Sequence, residues 1–562
     1  MGDEKKVVFL ELNSSYSHSM PGYCLIRALA EREAPEWRWG HSEATTKTAL
    51  EEIVCDVEAN NPDVLLATGY IFNLDLLLKV CAELKKRNKK LRIFLGGPSF
   101  LGDNENFLRK NLCISGVIRG DESSIPDLLK GNEFKQIPGL CYLDEQNHYQ
   151  DNQWADYRAE LDTLPSPYQQ GLIHRGNAFY QLETSRGCGG ACTFCTSSKS
   201  KGVKYHSLAR VKKDLQALHE LGYRDIRLID RTFNEDSERA VSMLKFFAED
   251  FPDMRFHLEI HPGKLKPKVL EQLAKAEKGS LHLEAGIQSF DPTVLKKIRR
   301  PASAEKAEKG LKALLALDNL ELHADLIAGL PGQTLVSLLS DVNKMLELAP
   351  DEIQLENLKL LPGTELRENP PPGLEYNPEI PWQVTRTNEM SIKDLGKASL
   401  YSYILDSWYN PPALRNVFRF STRQINDFFI KFCDFIEPYC DLSKGKLAME
   451  KRFDLLEEFL KEHDEKSLEL CRFAKIASGF RCDKVEMQKY QKSTNETIIW
   501  GRADLDKNTP IKRCITLDCS FNTADFWLNP KAKLHESPTS YIFKLYYGRK
   551  VANVALVYKK TA

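Results

Sequence analysis

The sequence predicts an α/β chain in three parts. These are a doubly wound parallel sheet over residues 1–150, an open, partial (β/α)6 barrel over 151–378, and a helical plus antiparallel-sheet domain over 379–562. Three observations predict it. Short apolar runs alternate with helical stretches in residues 5–145 and again in 179–358, a pattern that parallel strands with right-handed crossovers produce. A connector rich in proline and polar residues, Asp151–Gln170, parts the two series. From Glu379 the pattern changes to helices, and beyond Lys492 to strands.

In the first part the strands are Val7–Leu12, Asp63–Gly69, Leu91–Pro98 and Gly116–Gly120, with helices at Tyr23–Arg32, Leu76–Arg87 and Ile125–Lys130. Ligands of such sheets dock beyond the carboxyl ends of the strands. In the second part the strands are Phe179–Thr184, Asp225–Asp230, Arg255–Ile260, Ser280–Ile287, Leu320–Ile327 and Glu352–Leu358. Three of them share a feature. In Arg255–His261, His282–Gln288 and Glu321–Asp325 the polar residues fall at every second position, so in each strand they share one face. A barrel interior of acids, amides and imidazoles is costly as a core unless its groups are paired; a polar ligand cavity explains it better. In the third part helices are expected at Thr387–Trp408, Arg423–Phe435 and Ala448–Glu462, then strands at Glu496–Arg502, Lys512–Cys519, Ser540–Tyr547 and Val551–Tyr558. Cys433, Cys440, Cys514 and Cys519 show no metal-ligand spacing and read as free thiols.

Composition narrows the partners. Among 562 residues 28% are charged, yet the net charge is -1, so no global field draws the chain to nucleic acid or membrane. No apolar run approaches the roughly 20 residues needed to span a bilayer. Met1-Gly-Asp-Glu-Lys-Lys6 carries no export signal, so the fourteen cysteines are expected as reduced thiols in a cytoplasmic protein.

The chemistry concentrates in Glu183–Cys195, where Cys188, Cys192 and Cys195 follow C-x3-C-x2-C spacing with Phe194 before the last. Three thiolates on a glycine-bearing loop can bind three irons of a cubane and leave the fourth open. A structural zinc site wants four ligands, usually in C-x2-C pairs.

This motif resembles the signature of the radical S-adenosylmethionine (SAM) superfamily. The resemblance implies a [4Fe-4S] cluster on the three cysteines and SAM at the open iron. Reductive cleavage would then give a 5′-deoxyadenosyl radical for use on a small polar substrate, with a reductant such as flavodoxin or ferredoxin. Over strands three to five the barrel is similar to the coproporphyrinogen-oxidase-like radical SAM enzymes. The matching residues are Glu259 in Glu-Ile-His-Pro262, Gln288 in Gly286-Ile-Gln-Ser-Phe290, Arg300, and Asp325 before Gly329-Leu-Pro331. They imply partners for the ribose and carboxylate of SAM, with Phe194 beside its adenine. The second strand departs from the family, ending Asp230-Arg-Thr-Phe-Asn234 without glycines. Thr232 keeps the hydroxyl of one family version; Asp230 replaces the lost amine acceptor, or Arg231 turns toward substrate. His257, Glu284, Glu356 and Asn357 are the substrate candidates.

Leu12–His18, Tyr70–Asn73, Gly96–Pro98 and Arg119–Glu122 resemble the loops of cobalamin-binding, Rossmann-like domains that precede many radical SAM enzymes. Together they look most like a subgroup with an extra C-terminal domain. The D-x-H-x-x-G loop is absent, and Ser123-Ser124 replaces a longer acidic stretch. Two states stay open: a sheet that binds cobalamin, or one that keeps the fold without it. They imply two activities. One is a radical lyase on a 7-deazaguanine base, as in conversion of queuine to preQ1 in queuosine salvage; the other is a cobalamin-dependent radical SAM methyltransferase.

Overall fold

The structure, a computed structural model, describes residues 5–15, 21–156, 160–173, 178–200, 202–480, 487–489, 496–501, 513–529, 535–547 and 552–560. The chain divides into two units, residues 1–337 with 357–395, and residues 338–356 with 396–562.

The first unit opens with a seven-stranded sheet. Its order is Arg38–Thr45, Lys6–Asn13, Val64–Thr68, Arg92–Gly96, Gly116–Ile118, Leu140–Leu143 and Tyr149–Asp151. The first five strands run parallel and the last two antiparallel. Chain order reverses beside Lys6–Asn13, so the loops after Asn13 and Thr68 flank the topological switch point. Residues 16–20, with His18, lie outside the described residues. Leu10, Leu65, Ile93 and Val117 from the strands pack with Val54, Leu77 and Val80 from the helices. Asn73 ties the second loop down, donating to Leu12 O at 2.9 Å and Thr68 O at 3.1 Å and accepting from Tyr70 N at 2.8 Å. Gly97, with φ of 98°, requires glycine, because a Cβ would stand 2.4 Å from Thr68 Cγ2. Arg38–Thr45 was not expected as a strand. It is an edge strand of mostly polar residues and lacks the apolar run that marks its neighbours.

In the same unit Tyr180–Leu182, Asp225–Leu228, Arg255–Ile260, Leu281–Gln288 and Glu321–Ala328 pair in parallel, in that order. Helices Leu208–Glu220, Ser237–Asp250, Pro267–Leu273 and Ala304–Leu315 connect them. Asp236, Asp291 and Ser303 each cap a helix with a side-chain oxygen. Burial alternates residue by residue, with Phe256, Leu258 and Ile260 buried and His257 and Glu259 partly open. The next two strands repeat this alternation, so apolar faces meet the helices and polar faces line the interior. A sixth strand forms at Glu352–Asn357.

The second unit contains helices Pro412–Gln424, Phe428–Ile436, Met449–Lys461 and Glu465–Ala477, and Ile392–Ile404 continues into it through a π-helical turn, Leu405–Tyr409. Its antiparallel sheet has the order Met487–Lys489, Arg513–Phe521, Glu536–Tyr547, Ala552–Lys560, Glu496–Gly501. Phe473, Ile515, Leu517, Tyr541 and Phe543 form its core. The sequence reading had fewer helices here; Pro412–Gln424 starts at a proline in its first turn, a position where proline favours a helix rather than breaking it. Cys433 and Cys519 are buried free thiols, Cys440 is a half-buried one, and Cys514 is buried. Among the described residues no helix is long and apolar enough to cross a membrane.

Candidate active site

The cysteine loop is built on a short hairpin that the sequence did not announce, Ser185–Cys188 paired antiparallel with Gly202–Tyr205. Gly187, at φ of 90°, lets the strands close, since a Cβ there would stand 2.3 Å from Gly202 O. The hairpin is fastened at its base by Asp230. That carboxylate is 3% exposed and accepts from Thr184 N at 2.8 Å, Ser185 N at 2.9 Å and Thr184 Oγ1 at 2.5 Å. Asp230 is therefore committed to the loop and does not replace the missing amine acceptor. Arg186 leaves the other side of the hairpin and pairs with Glu183 and Glu122, each at 2.7 Å.

Cys188, Cys192 and Cys195 line one cleft of about 180 Å³ with Phe194, Arg231, Thr232, Glu259 and Glu284, and further round with Gln288, Arg300 and Asp325. The cleft sits at the carboxyl ends of the barrel strands, where β/α barrels place their active groups. All three thiols are free. Among the described residues no three His, Cys, Asp or Glu side chains converge on one ion; a cubane, whose cysteines bind three different irons, asks for sulfurs set apart. Thr232 Oγ1 is 3.6 Å from Cys188 Sγ, and Gly190 N donates to the same sulfur at 3.3 Å. Burial pushes the Cys192 thiol up, and the Arg300 guanidinium opposes it.

Several polar atoms of the cleft are buried without a partner: Gln288 Oε1, Arg300 Nε and His261 Nε2. An orphaned polar atom facing a cleft suits a ligand with complementary donors and acceptors, and SAM offers an ammonium, a carboxylate and a ribose diol. Gln288 adopts the left-handed region at φ of 72°, as do Arg299 at 52° and Ala302 at 73°. Such strain gathers where a site over-determines its backbone.

Residues 182–345 match the family model described as the radical SAM superfamily. They form a radical SAM domain. Among curated relatives, an uncharacterized methyltransferase of Pyrococcus horikoshii is 26% identical over 58% of this chain and 73% of its own length. The cobalamin-dependent radical SAM methyltransferase TokK of Streptomyces tokunonensis is 24% identical over 56% of this chain; the match spans 49% of TokK. The cobalamin-dependent SAM radical enzyme OxsB, solved with aqua-cobalamin and SAM bound, shares the fold at TM-score 0.59 and 14% identity, over 82% of this chain and 79% of its own. The methyltransferase TsrM of Kitasatospora setae, solved with cobalamin and a [4Fe-4S] cluster, gives 0.53 at 16% identity, over 67% of this chain and 81% of its own. The chain thus carries a radical SAM domain; of the four proteins named, three are methyltransferases and OxsB is a cobalamin-dependent SAM radical enzyme.

Within the radical SAM domain the inward layers are connected. His257 Nε2 stands 3.2 Å from Glu284 Oε2, His257 Nδ1 2.9 Å from His282 Nδ1, and His323 Nε2 3.1 Å from Asp325 Oδ1. Two imidazole nitrogens in contact share one proton, and burial lowers His282 to about 4, so that ring is neutral. The pairing with His257 holds Glu284 below the usual carboxylate range, whereas burial raises Asp325. His257 thus backs Glu284 from the layer beneath the cleft. Glu356, in the second unit, is exposed and accepts from Gln354 at 3.3 Å, and Asn357 is not among the cleft-lining residues. The sequence reading passed over His261 and Lys264, which line the cleft. Asn234 brackets the His261 backbone at 2.9 and 3.0 Å, and burial holds that imidazole down at about 3.

Glu259 carries a testable consequence. Burial pushes it from the ordinary 4.5 up to about 7, against the nearby Arg231 charge. A raised carboxylate favours its protonated form in the folded state, so its stability contribution is full below pH 4.5 and is lost as pH rises through about 7. Glu259→Gln should stabilise the cofactor-free chain by about 1–2 kcal/mol at pH 8, allowing for partial exposure, and hardly at all at pH 5. Thermal unfolding at the two pH values measures it; an equal gain at both would contradict the assignment.

Proposed function

We propose that this chain is a cobalamin-dependent radical SAM methyltransferase acting on a small polar molecule held over SAM inside the barrel. What carries the reading is the pairing, within one unit, of a seven-stranded sheet with five parallel strands and a radical SAM domain, an arrangement it shares with OxsB over most of both chains. The residue roles belong to the same proposal. Cys188, Cys192 and Cys195 hold the cluster, Arg300 and Thr232 the carboxylate and amine end of SAM, Glu259, Gln288 and Asp325 its ribose, and Phe194 its adenine. Cluster and SAM together supply the radical, and an electron-transfer protein supplies the electron. The chain's own work is to fix SAM against the open iron, to keep water from the cleft, and to offer Glu284, backed by His257, to the donor edge of a substrate.

Beside the cleft, sharing Arg231 and Glu259 with it, lies a second cavity of about 400 Å³. Tyr70 and Glu122 from the sheet loops, Leu164 and Tyr168 from the connector, and Arg186 from the hairpin line it. Its mixed lining, with Leu25, Tyr70, Leu164 and Tyr168 beside charged groups, offers a corrinoid both apolar contact for the ring and polar partners for its side chains. On the next sheet loop the buried Ser99 Oγ lacks a partner, as a polar tail would require. A second reading, a radical lyase on a 7-deazaguanine base with no corrinoid, is favoured by one observation: the Arg186–Glu122 pair already ties hairpin to sheet across that cavity. Anaerobic reconstitution with cobalamin, followed by gel filtration and a cobalt spectrum, separates the two. Stoichiometric cobalamin supports methyl transfer; none, with 5′-deoxyadenosine still formed from SAM, supports the lyase.

A further inference from the structure

Arg300 follows the helix Pro292–Lys297 and is seated by backbone rather than by an acid. Its Nη2 donates to Gly286 O at 2.6 Å. The approach depends on the glycine, because a Cβ at position 286 would stand 2.9 Å from Nη2 and 2.8 Å from Gln288 Nε2. From this seat Nη1 is directed at Cys192 Sγ, 3.6 Å away, within the range for hydrogen bonds to sulfur. Nε has no partner. A guanidinium presents five N–H donors in a rigid fork, so it can serve a carboxylate and a thiolate together.

We propose that Arg300 raises the reduction potential of the cluster by donating an N–H···S hydrogen bond to Cys192, separately from any contact with SAM. The inference rests on the reading of Cys188, Cys192 and Cys195 as cluster ligands. The step it governs is the transfer of one electron from the external reductant to the cluster; no bond is made or broken. Reduction adds negative charge to the irons and their sulfurs. A positive donor at one sulfur therefore favours the reduced form over the oxidised one, and net charge, hydrogen bonds to sulfur and solvent exposure are what set such potentials. Cys192 is the most enclosed of the three ligands, 6% exposed, whereas Cys188 and Cys195 are half-buried. A charge beside it is accordingly the least screened by water. The same arginine thereby couples the electron-accepting centre to the barrel strand that ends at Gln288, through Gly286.

The test is a redox titration of the reconstituted full-length chain, followed by electron paramagnetic resonance with no SAM present. Without SAM, a lost SAM contact cannot imitate the effect. Arg300→Met should move the midpoint to a more negative value, lowering the ratio of reduced to oxidised cluster several-fold at a fixed potential. Arg300→Lys keeps the charge without the fork and should fall less. Gly286→Ala displaces the guanidinium while keeping Arg300 and should fall in the same direction. Unchanged midpoints in Arg300→Met and Gly286→Ala would overturn the proposal. So would a fall confined to Arg300→Met, which would assign the effect to distant charge alone. Iron and sulfide counts show whether each variant assembles a cluster, and if one does not, the other decides. Failure of the unsubstituted chain to assemble a [4Fe-4S] cluster would sink the cluster reading itself.

Discussion

Cys192→Ala is expected to abolish 5′-deoxyadenosine formation from SAM and dithionite while leaving the cofactor-free chain folded. On the proposed assignment the loop offers three thiolates to three irons, so removing one would uncover a second iron and leave the cluster held at two corners. Loss of a supporting partner in a metal site's outer shell already costs about 10–100-fold, and loss of a direct ligand should exceed that, taking turnover below detection. The structural cost should be small, because Cys192 lines the cleft and the Arg300 contact is the only hydrogen bond recorded for its side chain among the described residues. Cys55→Ala is the matched control: this thiol is exposed on the helix Leu50–Ala59 and should leave activity intact. Retained activity in Cys192→Ala would refute the cluster assignment.

What the sequence revealed and what it hid divide along a physical line. The alternation in Arg255–His261 announced a strand with one polar face, because period two is written in consecutive residues, and the strand forms at Arg255–Ile260 with that face partly open. The cysteine spacing was legible for the same reason. Contacts between residues far apart in the chain were not. Asp230 reads as a cleft acid at a strand end, yet its carboxylate turns to Thr184 and Ser185, 46 and 45 residues earlier. Arg186 reads as part of the motif but reaches Glu122, 64 residues away. Arg38–Thr45 lacked a signal because an edge strand need not be apolar. Activity is subtler still. The motif specifies a radical generator, whereas the choice between methyl transfer and cleavage rests on whether the cavity lined by Tyr70 and Arg186 takes a corrinoid, which no local pattern encodes.

Asp230→Ala should cost the fold what Cys192→Ala does not. The carboxylate is the only acceptor recorded for Thr184 N and Ser185 N among the described residues, and both donors are buried. Each backbone N–H left without an acceptor costs about 1–3 kcal/mol, and the Thr184 hydroxyl loses its partner as well. A total of about 3–5 kcal/mol follows, the range for breaking a buried polar network. It falls on the base of the hairpin that carries Cys188, so cluster content should drop together with the thermal midpoint. Asp230→Asn separates the causes. Its carbonyl oxygen can still accept from both backbone donors, and its amide can donate to the Thr184 hydroxyl, so stability and iron content should both recover most of the loss. If the hairpin were held by its strand pairing alone, alanine and asparagine would behave alike and the midpoint would stay within about 0.5 kcal/mol of the unsubstituted chain, as surface changes do. The paired measurement of unfolding and iron per chain therefore distinguishes a residue that builds the cluster's platform from one that binds it; Asp230 is expected in the first group and Cys192 in the second.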